Sequence, residues 1–271
     1  MRSSSWRPIV LMSALAACLA PLAGDALAQT KKPSHRSIRQ GMFALSQIDS
    51  ASVVMLGDSL TEGAQWSEIT GCAFLANRGI GGDDSAGVLR RLDGVTGLKP
   101  AAVFLMIGVN DINSGVSADT IVDNVQGIIE KLTKSGARVY LTLVLPVAES
   151  FKKINPKIDE LNKAYVKLAK ETKVTVVDFR ADTRNSDGFL KDELSRDGIH
   201  LTAEGYRVWR DAVMPLVRQH CAARPAAAPQ VMAPKPSRAN NVPTVAEPPT
   251  SSTPAATAPA GEFNTRFGPW R

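Results

Sequence analysis

The chain has 271 residues, three cysteines and a formal net charge of +6, long enough for one large or two small domains with a full core. Its basicity sits at the ends: residues 1–40 carry six Lys/Arg against one acid, and residues 222–271 carry five against two. Residues 41–221 keep 21 basic and 23 acidic side chains, a slightly acidic balance that speaks against nucleic-acid binding by the central part.

Residues 1–28 have the layout of an export signal. Arg2 and Arg7 precede an apolar run from Ile9 to about Ala23, and Ala26-Leu27-Ala28 forms a small-residue cleavage site before Gln29. The run is short for a membrane span, so a periplasmic or secreted product is expected. Leu15-Ala16-Ala17-Cys18 also resembles a lipoprotein box, with Cys18 as the lipid anchor, but Leu19 to Ala28 stays apolar where such proteins turn polar. Cleavage after Ala28 is the preferred reading and lipidation at Cys18 the alternative. Cys72 and Cys221 then remain. Export permits a disulfide between them, and two separate thiols fit the sequence equally well. There is no CxxC or Cys/His cluster at ligand spacing, so no metal is expected.

Residues 29–40 are polar and predict a flexible lead-in, followed by a short helix within 41–49 and a first strand over 52–57. The apolar run Ser52–Leu56 suits a buried parallel strand. Gly57 then allows a sharp turn, and Asp58 and Ser59 suit a turn or a helix N-cap. Phe74–Asn77 reads as a second strand. Asp83 is placed to cap the next helix, whose Ala86, Val88, Leu89 and Leu92 face inward. The glycines at 79, 81 and 82 make neither a P-loop nor a complete GxGxxG, which leaves nucleotide binding weakly supported.

Ala101–Ile107 predicts a third strand, ended by Gly108-Val109-Asn110-Asp111. Ile121, Val122, Val125, Ile128, Ile129 and Leu132 recur at helical spacing. Val139–Leu145 predicts a fourth strand, about 155–170 a helix, and Val174–Val177 a fifth strand. The long polar loop 179–198 ends in Asp197-Gly198-Ile199-His200, ahead of a last helix from about Thr202 to Arg218. Alternating strands and helices predict a doubly wound, mainly parallel five-stranded α/β sheet with helices on both faces, over residues 41–221. Strand order is not readable from the sequence. Ten of the 17 prolines fall in 222–271, which predicts a disordered Pro/Ala-rich tail. Phe263, Phe267 and Trp270 at its end either meet a partner of unknown kind or form a passive terminus.

Four polar signals gather at predicted strand ends or before the last helix: Asp58-Ser59, Gly82, Asn110, and Asp197 with His200. Serine chemistry needs a base for the hydroxyl proton, a carboxylate to orient that base, and donors for an oxyanion. His35 lies in the lead-in and His220 at the domain's end, so His200 is the candidate base.

Gly57-Asp58-Ser59-Leu60, Asn77-Arg78-Gly79-Ile80-Gly81-Gly82-Asp83, Gly108-Val109-Asn110-Asp111 and Asp197-Gly198-Ile199-His200 resemble, in order, the four blocks of the SGNH (GDSL) hydrolases. The resemblance covers roughly residues 50–218. Its nearest subgroup in motif is the platelet-activating-factor acetylhydrolase-like esterases. It implies a flavodoxin-like fold, with Ser59 as nucleophile, His200 as general base and acid, and Asp197 orienting the ring. It also implies an oxyanion hole from the Ser59 and Gly82 N–H groups and the Asn110 side chain, and no cofactor. In that subgroup the positions of Leu60, Val109 and Ile199 close the acyl pocket, which implies a short acyl group, most simply acetyl. The expected activity is therefore that of an exported serine esterase acting on a small-molecule or carbohydrate acyl ester. A lysophospholipase or thioesterase would use the same residues, while a non-catalytic envelope-binding module would need no intact triad.

Overall fold

Two uninterrupted apolar runs become neighbouring central strands, β1 (Val53–Gly57) and β3 (Ala102–Met106), buried at every position. Strands that read as continuous apolar runs are those covered on both faces, as parallel sheets require. The computed structural model describes residues 32–221; the expected signal, Cys18 and the tail lie outside the described residues. Among the described residues, 34–221 belong to one compact unit. With β2 (Leu75–Gly79), β4 (Arg138–Thr142) and β5 (Thr175–Val177) the sheet is five-stranded and wholly parallel, in the order β2-β1-β3-β4-β5. The chain runs outward from β1 to β2, then returns to build β3, β4 and β5 on the other side. That reversal puts the crevice for a ligand at the carboxyl ends of β1 and β3.

Two helix groups cover the sheet. In one, α7 (Ala118–Lys134) packs beside α4 (Ser85–Arg90) and α8 (Asn155–Thr172); in the other, α10 (Ala203–His220) packs on α3 (Trp66–Thr70) and α9 (Arg180–Thr183). Helix α7 buries Ile121, Val125, Ile128, Ile129 and Leu132, the expected stripe, and Ser117 caps its first turn. Under α10, Trp66 and Trp209 meet edge to face with ring centroids 4.7 Å apart. Cys72 and Cys221 are joined in a disulfide, Cα atoms 5.6 Å apart, so the alternative of two separate thiols is replaced by one bridge. It ties the end of α3 to the end of α10 across 149 residues. In the chain-entropy picture, closing so long a loop restricts the unfolded state by about 5 kcal/mol.

Element ends shift from the sequence expectation, and three differences bear on the site. The first helix, α1, runs His35–Leu45, so residues 35–40 of the expected lead-in are helical. Ser34 caps it, and its basic side chains are anchored on the body as described below. β4 ends at Thr142; Leu143 N still donates to Val177 O, and Asn162 of α8 then holds Val144, accepting from its N–H at 2.8 Å and donating to its carbonyl at 2.9 Å. The residue that caps α4 is Asp84, accepting from Gly87 N at 2.6 Å, and not Asp83, which is fully buried in ion pairs.

Candidate active site

The nucleophile turn is built at the end of β1. A Cβ at Gly57 would run into Met106 O of β3 and Thr61 Oγ1, so only glycine lets the two strands close there. Asp58 caps the short helix α2 (Ser59–Glu62) by accepting from Leu60 N at 3.0 Å. Ser59 is therefore the first residue of a helix, its own N–H among the groups a short turn leaves without an intrahelical acceptor. Asp58 is 1% exposed, and its second oxygen has no hydrogen-bond partner. Burial pushes its carboxyl up to about 7, against the Leu60 N–H that favours the charge, and nearby Asp83 and Asp111 add to the rise.

The base arrives on the loop before α10. His200 Nε2 lies 3.0 Å from Ser59 Oγ, and His200 Nδ1 lies 2.8 Å from Asp197 Oδ2. The other Asp197 oxygen accepts from His200 N at 2.8 Å and Ile199 N at 3.1 Å. Partial burial alone would raise the Asp197 carboxyl, but the backbone and ring hydrogen bonds from His200, with that from Ile199, outweigh it and hold it below the usual range. The carboxylate that faces the imidazole thus stays ionised. The structure brings Ser59, His200 and Asp197 together in one hydrogen-bonded row.

Gly82 and Asn110 meet on the loop after β2. Gly82 has φ +74°, a left-handed conformation that favours glycine; space around its missing Cβ is open, so backbone shape and not crowding selects the residue. Asn110 stands in α6 (Val109–Asn113), and its Nδ2 donates to Asp83 O at 2.8 Å, tying the carboxamide to the residue after Gly82. Asp83 itself is held by Arg91 Nε at 2.6 Å and by an ion pair with Arg36 at 3.0 Å.

Helix α1 fastens this loop from the outside. Arg36 donates to Gly82 O at 3.2 Å and Arg39 to Gly79 O at 3.1 Å. Glu62 gathers three groups: Gly81 N at 2.5 Å, His35 Nε2 at 2.9 Å, and Arg39 in an ion pair at 3.0 Å. Asn77 closes the other side, donating to the carbonyls of Thr61, Glu62 and Ala64 and accepting from Gly79 N. His35, Glu62 and Asn77 carry no role in the sequence expectation. The available signal was Ser34 as an N-cap with arginines one turn on, but their acidic partners lie far along the chain.

Beside Ser59 opens a cleft of about 730 Å³ whose walls include His35, Glu62, Gly82, Arg196, His200 and Tyr206. Its walls expose more hydrocarbon than polar surface, and Leu201 is its one large aliphatic lining residue. The three expected acyl-pocket residues do not line it. Leu60 and Val109 are core, 3% and 6% exposed, and Ile199 is half-buried against that core. Tyr206 donates to Leu60 O at 3.0 Å. Burial, reinforced by the charge of Asp58, pushes the Tyr206 hydroxyl up to about 12, so it stays protonated and keeps that hydrogen bond.

Residues 55–208 match the model of the GDSL-like lipase/acylhydrolase family. Human platelet-activating factor acetylhydrolase IB subunit alpha2 is 28% identical over 165 residues, covering 57% of this chain and 70% of that protein. A GDSL-like lipase from Bacteroides thetaiotaomicron superposes with a TM-score of 0.60 at 26% identity, covering 67% of this chain and 96% of its own. An acetyl xylan esterase superposes with a TM-score of 0.55 at 25% identity, covering 61% of this chain and 98% of its own.

Proposed function

The chain belongs to the GDSL-like lipase/acylhydrolase family and is a carboxylic-ester hydrolase, and from that premise we propose an exported serine esterase that removes short acyl groups, acetyl above all, from hydroxyl-rich alcohols such as carbohydrate. The observation that carries the chemistry is the row Ser59 Oγ–His200 Nε2–Asp197, at 3.0 and 2.8 Å. Ser59 Oγ attacks the acyl carbonyl carbon while His200 Nε2 takes the hydroxyl proton. The negative oxygen that results is received by the N–H groups of Ser59 and Gly82 and by an amide hydrogen of Asn110. One hydrogen of that carboxamide goes to Asp83 O, and the group has a second. His200 then passes its proton to the departing alcohol, leaving the acyl group on Ser59. Water, deprotonated by the same imidazole, releases the acid and restores the hydroxyl.

The substrate class is supported by the cleft. His35, Glu62, Arg196 and Tyr206 offer donors and acceptors suited to hydroxyl groups, and Leu201 alone offers a large aliphatic surface. Acetyl is the group named for the similar acetyl xylan esterase. Export is supported by the Cys72–Cys221 disulfide, since such bonds persist in oxidising compartments, and by the signal-like residues 1–28.

A chain-length series of p-nitrophenyl esters tests the reading, followed by acetate release from O-acetylated polysaccharide. kcat/KM should fall from acetate to butyrate and be small for octanoate. Ser59→Ala should abolish turnover in a folded protein. Fastest turnover on octanoate or longer esters would replace this reading with a lysophospholipase or thioesterase.

A further inference from the structure

Three guanidinium groups gather where α1 meets the body: Arg39 of α1, with Arg78 and Arg91. Two have acidic partners, Arg39 on Glu62 and Arg91 on Asp83. Arg78, on β2, has no ion pair among the described residues. One of its terminal nitrogens donates to the carbonyl of its own neighbour, Asn77, at 3.1 Å, and its Nε has no partner. Its guanidinium lies 4.6 Å from the centre of the Phe43 ring. The residue is only 7% exposed. Burial lowers its pKa, and the like charges of Arg39 and Arg91 add to that. A cation buried without a counter-charge is costly, and a protein that keeps one gains most by receiving an anion there.

Arg78 and Arg91 form one wall of a cavity of about 310 Å³ between α1 and α5 (Asp93–Thr96). Phe43, Ile48, Val95 and Leu98 supply most of the other walls, and Gln40 is the one uncharged polar side chain among them. The volume lies at the lower end of roughly 300–1,000 Å³ for small-molecule sites. We infer that this cavity binds a small amphiphilic carboxylate, its headgroup on Arg78 and its hydrocarbon chain against Phe43, Ile48, Val95 and Leu98. The unmatched guanidinium sets the charge, and its planar fork fits a carboxylate with two parallel hydrogen bonds. The apolar walls set the rest: a bare anion would satisfy Arg78 and leave the hydrocarbon surface empty. The site is separate from the cleft at Ser59 and does not depend on how that cleft is used.

Hexanoate, 1-hexanol and inorganic phosphate, each titrated into the full-length chain by calorimetry, separate the two halves of the inference. Hexanoate should bind saturably, about tenfold or more tighter than either hexanol or phosphate. Arg78→Met keeps the stem and removes the charge, and it should weaken hexanoate by about tenfold or more while leaving hexanol unchanged. Ile48→Asp, at the exposed mouth of the cavity, should weaken hexanoate through like-charge repulsion and reads the same site should Arg78→Met fail to fold. Absence of saturable hexanoate binding would overturn the inference, as would equal affinity for hexanol or phosphate. Hexanoate bound equally by wild type and both variants would place it elsewhere and overturn the site.

Discussion

The two halves of the active site are held by different means. The nucleophile turn is fixed by distant parts of the fold: Gly57 O accepts from Ile80 N at 3.1 Å and from Arg91 at 3.0 Å, and Gly57 touches Met106 of the next strand. The base loop is fixed mainly by itself. Ser195 Oγ accepts from Gly198 N at 2.8 Å and donates to His200 O at 3.0 Å, while Arg196 N donates to the same carbonyl. Asp197 takes four hydrogen bonds from its own turn, from Arg196, Ile199 and twice from His200, and Ala148 N to Gly198 O is a tie to the rest. The nucleophile is thus as rigid as the sheet, and the base is as rigid as one six-residue loop. Damage to the first should appear as lost stability, and damage to the second as lost turnover.

The largest expected effects fall on the row itself. His200→Ala should reduce kcat by on the order of 10⁵–10⁶, because nucleophile and base act as a unit. Asp197→Asn should cost less, on the order of 10⁴, since that carboxylate only orients and stabilises the imidazolium. Steady-state kinetics on p-nitrophenyl acetate separates the two, and equal losses would mean Asp197 does more than orient the ring. Asn110→Ala should lower kcat by on the order of 10²–10³ with little change in KM, the usual result of removing one oxyanion donor. A KM rise without a kcat loss would place Asn110 in ground-state binding.

A matched pair of variants sharpens the contrast between the halves. Gly57→Ala should destabilise by about 1–3 kcal/mol or prevent folding, because its Cβ meets backbone that cannot swing aside. Ser195→Ala should leave the melting temperature nearly unchanged and lower kcat by roughly tenfold, as the loop loses two of its internal bonds. Thermal denaturation beside kcat checks both. If Ser195→Ala unfolded the protein while Gly57→Ala melted normally, the assignment of rigidity to the two halves would be reversed.

The same difference explains what was legible in the sequence. Ser59, Asn110, Asp197 and His200 could be picked out because each stands at the end of an apolar run or in a polar loop ahead of a helix, where local pattern speaks. Cys72 and Cys221 could not be paired, because 149 residues separate them and nothing local records their approach. The first half of helix α1, residues 35–40, was hidden for a similar reason. Its composition is that of a mobile segment, and what fixes it are Glu62 and Asp83, acids outside any sequence window around it. Asp83 and Asp84 offer the same capping chemistry, and only the fold decides that Asp83 turns inward to Arg91. Leu60 shows the limit of adjacency: it follows the nucleophile in sequence, yet α2 turns its side chain into the core. Strand order, and with it the crevice between β1 and β3, belongs to the three-dimensional pairing alone.

A pH-dependent effect on stability is the most specific to the nucleophile half. Asp58 carries a carboxyl raised to about 7 by burial, against an ordinary value of 3.8. Between those values the folded protein keeps a proton that the unfolded chain has released. Stability is then full below about pH 4 and falls as the pH rises through about 7, the direction for a raised acid. Asp58→Asn cannot ionise, and its amide oxygen can still accept from Leu60 N, so the helix cap is kept. The variant should match wild type near pH 4 and melt higher than wild type at pH 8. Melting curves across that range measure the difference directly. A variant less stable than wild type at every pH would show that the orphaned Asp58 oxygen is satisfied as a carboxylate, and that the turn beneath Ser59 depends on its charge.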